Sequence, residues 1–166
     1  MNVVSIFSLG FLAALSLANA SEPGRPETVQ THSESAGSSV LDPSHVGIKS
    51  PNEIQWTGEA GEQKATLYGD PAKPGPYAML IRWGPGHFSK PHFHSKDRQI
   101  YVVSGTWWVS SSEKYDPSTT TPIPAGSYVT HYGNKVHWDG ARDENCVLLL
   151  FGVGPVSTTW LEGSHH

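Results

Sequence analysis

The sequence predicts an all-β protein, a sandwich or barrel of short antiparallel strands, and three observations carry that prediction. Short apolar or alternating runs recur at a spacing of about 8–12 residues. Turn residues separate them, with Gly 17 and Pro 13 in a chain of 166 residues. No stretch shows the sustained i, i+3, i+4 apolar spacing of a core-facing helix. A chain of this length supports one domain with a substantial core.

The first twenty residues carry no charge and hold the apolar run Val3–Leu17. They end in Leu17-Ala18-Asn19-Ala20, a small-x-small pattern suited to signal peptidase. The run is short for a membrane span, and the usual positively charged start is missing, because only Met1-Asn2 precede it. The segment 1–20 therefore reads as a cleaved signal peptide, with a mature chain starting at Ser21 and a secreted or periplasmic location. Residues 21–45 are rich in Ser, Glu, Pro, Gly and Thr. Too little apolar surface is available there to fix the backbone, which predicts a flexible N-terminal segment. The folded domain is expected over 46–160. The tail 161–166 reads as flexible and as a remnant of cloning, and its two histidines are excluded from the site.

Within the domain, Glu53-Ile54-Gln55-Trp56 opens the first strand-like pattern, and Ala65–Asp70 alternates before the turn Pro71–Pro76. Tyr77–Trp83 is a strong strand, ended by Gly84-Pro85-Gly86. The segment His87–His94 leads to a strand over Gln99–Ser104, and Thr106–Ser111 resumes at once, so Ser104-Gly105 reads as a tight hairpin. After a loop over Ser112–Pro122 come strands at Ser127–Tyr132, Val136–Trp138, Cys146–Phe151 and Val156–Trp160. About nine strands of this kind make a sandwich or barrel.

A formal net charge of −4 and singly scattered Lys and Arg give no basic surface for nucleic acid, nor for an anionic membrane once the signal is removed. The lone cysteine, Cys146, lies in Asn145–Phe151 and reads as a small buried hydrophobe rather than a nucleophile.

Chemistry concentrates in Gly86–Gly105. His92 and His94 are two apart, and on a strand such residues point the same way and can reach one metal ion. Five of the nine histidines (His87, His92, His94, His131, His137) fall in the strand-rich part. Several imidazoles and one further donor are a common way to hold a divalent first-row metal with positions left open. His131 faces either the cavity or solvent. His87 falls on the opposite strand face from His92, or in a loop. Tyr101, Trp108, Tyr132 and Trp138 would wall a barrel interior, and Asp97-Arg98 reads as a solvated pair at its mouth.

The spacing Gly86, five residues, His92-x-His94, four residues, Gln99, then Gly105 resembles the first motif of the cupin superfamily. Gly126, five residues, Tyr132-Gly133-Asn134, two residues, His137 resembles a degraded second motif, with Tyr132 in place of proline and Asn134 in place of glycine. The resemblance implies a cupin-type antiparallel barrel (double-stranded β-helix, jelly roll), metal ligands His92, His94, the residue at Gln99, and His137, and a homodimer through sheet extension. Cupins usually place glutamate at the Gln99 position. A glutamine amide is a neutral, weaker donor, so Gln99 either ligates through its carbonyl or holds a metal-bound water beside a three-histidine site. The implied cofactor is a divalent metal ion, Fe(II) first, with Mn, Ni, Cu or Zn as alternatives.

Two functions of different class follow. One is a secreted dioxygenase-type oxidoreductase acting on a small molecule, with Gln99 positioning substrate or water and His131 or Tyr101 as the available bases. A metal-assisted isomerase, decarboxylase or lyase fits the same barrel. The other is a non-catalytic ligand- or metal-binding module. The short single-domain chain fits a storage role poorly.

Overall fold

The computed structural model describes residues 41–161. The expected signal peptide, residues 21–40 of the N-terminal segment and residues 162–166 of the tail lie outside the described residues. Eleven strands and two short 3-10 turns follow one another: β1 (Thr57–Glu59), β2 (Glu62–Tyr68), β3 (Gly75–Trp83), β4 (His92–His94), β5 (Arg98–Ser104), β6 (Thr106–Ser110), β7 (Thr121–Pro124), β8 (Tyr128–His131), β9 (Trp138–Gly140), β10 (Cys146–Gly154) and β11 (Thr158–Trp160). The pattern at Glu53–Trp56 forms no strand; Pro51–Glu53 is a 3-10 turn. Among the described residues no helix is long and apolar enough to cross a membrane.

A six-stranded sheet runs β1-β2-β3-β10-β5-β8, faced by a three-stranded sheet β7-β6-β9 and a pair β11-β4. The two small sheets are stitched together by antiparallel bridges, Phe88 to Gly140 and His92 to His137. At the second, each residue donates its N–H to the other's carbonyl, at 3.0 and 2.9 Å. This is the double-stranded β-helix that the sequence implied.

The strongest strand patterns occupy the middle of the large sheet, where β3 and β10 pair over nine residues from Cys146–Trp83 to Gly154–Gly75. Alternation sends Tyr77, Ile81 and Trp83 of β3, Cys146, Leu148 and Leu150 of β10, and Ile100 and Val102 of β5 into one core, closed from the other layer by Trp107 and Ala141. Cys146 is fully buried, and burial pushes its thiol up to about 12, in keeping with an inert packing role.

The expected hairpin at Ser104-Gly105 is not one. Strand β5 pairs with β10 and β8, whereas β6 pairs with β7 and β9, so the chain changes layers here. Gly105 has φ +73°, and a Cβ on it would lie 2.2 Å from the Asn145 carbonyl oxygen. Gly105→Ala therefore combines a left-handed backbone with a backbone clash. It is expected to cost at least about 2 kcal/mol, read as a lower urea midpoint; a midpoint unchanged from wild type would refute this account of the crossing.

Candidate metal centre

Strand β4 delivers His92 and His94 to the interior on one face, as their spacing requires, while Phe93 turns the other way. The bridge between His92 and His137 brings the third imidazole across from the segment before β9. One ring nitrogen from each of His92, His94 and His137 lies within 4.8 Å of the others. All three residues are buried, at 4–6% exposure.

Each ring is held by its Nδ1. His92 Nδ1 lies 2.7 Å from the Lys90 carbonyl, His137 Nδ1 lies 3.0 Å from the Lys135 carbonyl, and His94 Nδ1 lies 2.9 Å from Thr158 Oγ1 of β11. A carbonyl only accepts, so in the neutral His92 and His137 rings Nδ1 carries the proton and Nε2 presents a lone pair. The Nε2 atoms of His94 and His137 are buried with no protein partner. Buried polar atoms are nearly always bonded, and rings anchored through one nitrogen with the other directed at a common point are the usual arrangement of metal-ligating histidines. The donor set fits a divalent first-row metal.

The electrostatics favour the unprotonated rings. Burial, then the Arg98 guanidinium and the neighbouring imidazoles, hold His94 down to about 2. Burial and His92 hold His137 to about 3, and burial lowers His92 as well. His131 is also buried and lies well below its ordinary range, chiefly through burial. Its ring packs at a tilt against His137, with centroids 3.8 Å apart, and against Trp107 at 5.2 Å, and neither nitrogen has a partner. It faces the interior but stands outside the group of three.

The structure does not bring Gln99 to the three histidines; Arg98, its neighbour in β5, is the residue that lines the cavity. In β5, Arg98 pairs with His131, Ile100 with Val129 and the buried Leu150, so these residues face inward. Gln99 pairs with Thr130 and the exposed Phe151, on the outer face. A β-strand admits no compromise here, since a shift of one residue reverses the face. Tyr101 falls on the same outer face and is 43% exposed, which removes it as a base. The expected mouth pair Asp97-Arg98 also divides: Asp97 accepts the Gly133 N–H at 2.7 Å, while Arg98 turns into the cavity.

Of the aromatic residues expected to wall the interior, only Trp138 is fully buried. Tyr132 is 64% exposed, and Trp108 carries the Arg142 guanidinium 3.9 Å above its ring. His87 lies in an exposed loop, its Nδ1 2.9 Å from the Pro85 carbonyl.

A cavity of about 260 Å³ opens beside the centre, lined by His92, His94, Arg98, Tyr77, Ile81 and Trp83 among others. It also exposes a carboxylate the sequence reading missed. Asp139 is buried, and its Oδ2 accepts the indole N–H groups of Trp83 at 3.0 Å and Trp107 at 2.8 Å, while its own backbone N–H donates to Ser89 Oγ at 3.0 Å. The only local signal was an acid inside the apolar run Trp138-Asp139-Gly140; both indole partners are remote in sequence.

By fold, the chain is similar to the polyketide cyclase RemF from Streptomyces resistomycificus, with a TM-score of 0.56, 16% identity and coverage of 72% of this chain and 89% of that one. It is also similar to an RmlC-like cupin protein from Ralstonia eutropha JMP134, with a TM-score of 0.55, 17% identity and coverage of 72% and 74%. A cupin sugar phosphate isomerase from Silicibacter pomeroyi DSS-3 gives a TM-score of 0.53, 16% identity and coverage of 69% and 82%. No curated protein matches in sequence. Residues 47–157, which include all three clustered histidines and both layers of the barrel, match the family model of the ChrR cupin-like domain, and the chain belongs to that family.

Proposed function

We propose that this chain is an exported, metal-dependent enzyme of dioxygenase type acting on a small molecule, with Fe(II) held by His92, His94 and His137. The observation that carries the reading is the set of three buried imidazoles, each tied to the protein through Nδ1, with partnerless Nε2 atoms on His94 and His137. Iron bound there would supply the redox and oxygen chemistry that side chains do not. The chain's own part is to keep the three rings neutral by burial, to orient them through Lys90, Lys135 and Thr158, and to exclude water with Tyr77, Ile81 and Trp83. Three neutral ligands add no negative charge and leave coordination positions for substrate.

A second reading, a metal-assisted isomerase or lyase, is favoured by one observation: the Asp139 carboxylate lines the cavity and is able to accept a proton from a bound substrate.

The test is elemental analysis of protein purified without added metal, followed by oxygen-electrode assays on small enolisable or aromatic compounds. The proposed reading expects about one iron per chain and oxygen consumption matched to substrate loss. Zinc or manganese with turnover that persists anaerobically selects the second reading. A metal-free, inactive protein makes the barrel a ligand-binding module.

A further inference from the structure

Arg98 carries a guanidinium that no carboxylate touches, although Asp139 and Glu62 offset its charge from a distance. Its register with His131 sends it inward, it lines the cavity with His92 and His94, and its Nε is buried with no hydrogen-bond partner. It forms no ion pair among the described residues. The two carboxylates lining the same cavity act on Arg98 only at longer range, their direct contacts being elsewhere: Asp139 with two indoles, and Glu62 with Lys64 at 2.8 Å. Burying an ionised group costs much of its hydration, and the cost is recovered only when a partner of opposite charge meets it with good hydrogen bonds. A guanidinium also remains charged at any accessible pH. A half-buried guanidinium with no hydrogen-bond partner on its buried Nε, at the wall of a cavity, is thus one half of an anion site.

We propose that the cavity takes a small carboxylic acid, its carboxylate held side-on by the Nε–H and one Nη–H of Arg98 and its apolar body packed against Tyr77, Met79, Ile81 and Trp83. This deepens the functional reading above and rests on the same cavity, though not on which metal the histidines hold. A carboxylate suits the site better than a phosphate. One planar fork offers two parallel donors, which matches a carboxylate. The Asp139 and Glu62 carboxylates on the same walls oppose a second negative charge. At about 260 Å³ the cavity lies at the lower end of the range of small-molecule sites, which suits a small acid such as benzoate.

The experiment is calorimetric titration of benzoate and of its neutral analogue benzamide into wild-type protein, Arg98→Met and Arg98→Lys. Each is prepared metal-free and loaded with redox-inert zinc, with metal content and melting temperature recorded on the same samples. Wild type is expected to bind benzoate at least tenfold more tightly than benzamide, in both preparations. Arg98→Met should bring benzoate down to the level of benzamide while leaving the zinc content unchanged, and Arg98→Lys, with charge but no fork, should fall between. The proposal is overturned if wild type binds neither probe or binds both alike, or if Arg98→Met keeps its preference for benzoate. A preference that appears only with zinc and survives Arg98→Met would place the carboxylate on the metal and overturn it equally. Selective benzoate binding by a chain that takes up no metal would defeat the metal reading and leave this one standing.

Discussion

His92→Ala and His94→Ala are each expected to abolish stable metal binding, whereas His87→Ala retains it. The cluster offers three neutral nitrogen donors and no carboxylate among them, and Arg98 lines the cavity beside them. Removing one donor leaves two imidazoles beside a guanidinium, a set that neither fills a coordination sphere nor offsets the cation's charge. Losing only a supporting hydrogen bond behind a ligand costs about 10–100-fold in affinity, so losing the ligand should exceed that. Metal per chain after dialysis against a chelator measures it, and melting temperature gives an independent readout. A ligand at a thousand times its Kd adds about 4 kcal/mol to stability, so added metal should raise the melting temperature of wild type and His87→Ala and leave that of His92→Ala unmoved. Gln99→Glu is the informative companion: on the outer face of β5 it should leave metal content unchanged, although a glutamate facing the centre would strengthen binding. Equal metal content in wild type and His92→Ala would refute the ligand set.

What the sequence reveals, and what it hides, follows from the range of the forces involved. The strands β3 and β10 were legible because a central strand buries one face, and apolar alternation writes that burial into neighbouring residues. His92 and His94 were legible for the same reason, since period two is a property of the backbone. The fourth position was misread by one residue. Between His94 and β5 the chain makes a turn, and whether three or four residues are consumed there decides whether Arg98 or Gln99 faces inward. The resemblance to the first cupin motif pointed to Gln99, because its spacing from His94 matches the position where that motif usually has glutamate. The structure instead turns the arginine toward the cavity with its Nε out of solvent, and that local breach of the usual pattern sits where function tolerates such costs.

Other features were hidden because they are made by distant residues. Asp139 becomes part of the site only when Trp83 and Trp107 fold around it, and nothing near it in the chain foretells two indole donors. The crossing at Gly105 looks locally like a hairpin, since a glycine with positive φ serves both. Its distinguishing contact is with Asn145, forty residues on. Tyr101 and Tyr132 read as walls of the barrel interior, yet both are exposed, and an exposed aromatic residue is common and carries no signal of its direction.

The metal-free protein is expected to lose stability steeply as the pH falls from about 6.5, and to unfold between about pH 5 and pH 4. Four imidazoles (His92, His94, His131, His137) are buried and held below the ordinary range, His94 to about 2 and His137 to about 3, mainly by burial and then by Arg98 or one another. In the unfolded chain each would protonate near pH 6.5. Between the two limits the unfolded state binds more protons than the folded state, so stability is complete above about pH 6.5 and declines as the pH drops. Each ring that stays neutral contributes about 1.4 kcal/mol per pH unit, so His94 and His137 alone remove about 4 kcal/mol between pH 6.5 and pH 5, and His131 and His92 add to that loss. That is comparable with the whole stability of a small domain, about 5–15 kcal/mol. Urea denaturation at pH 8, 6.5, 5.5 and 5 measures the slope, and His131→Phe should flatten it by about one proton because that ring lies outside the ligand group. Metal binds only the neutral rings, so loading should shift the acid transition downward. A stability that stays level from pH 7 to pH 5 would mean that these imidazoles are not the buried neutral set on which the centre depends.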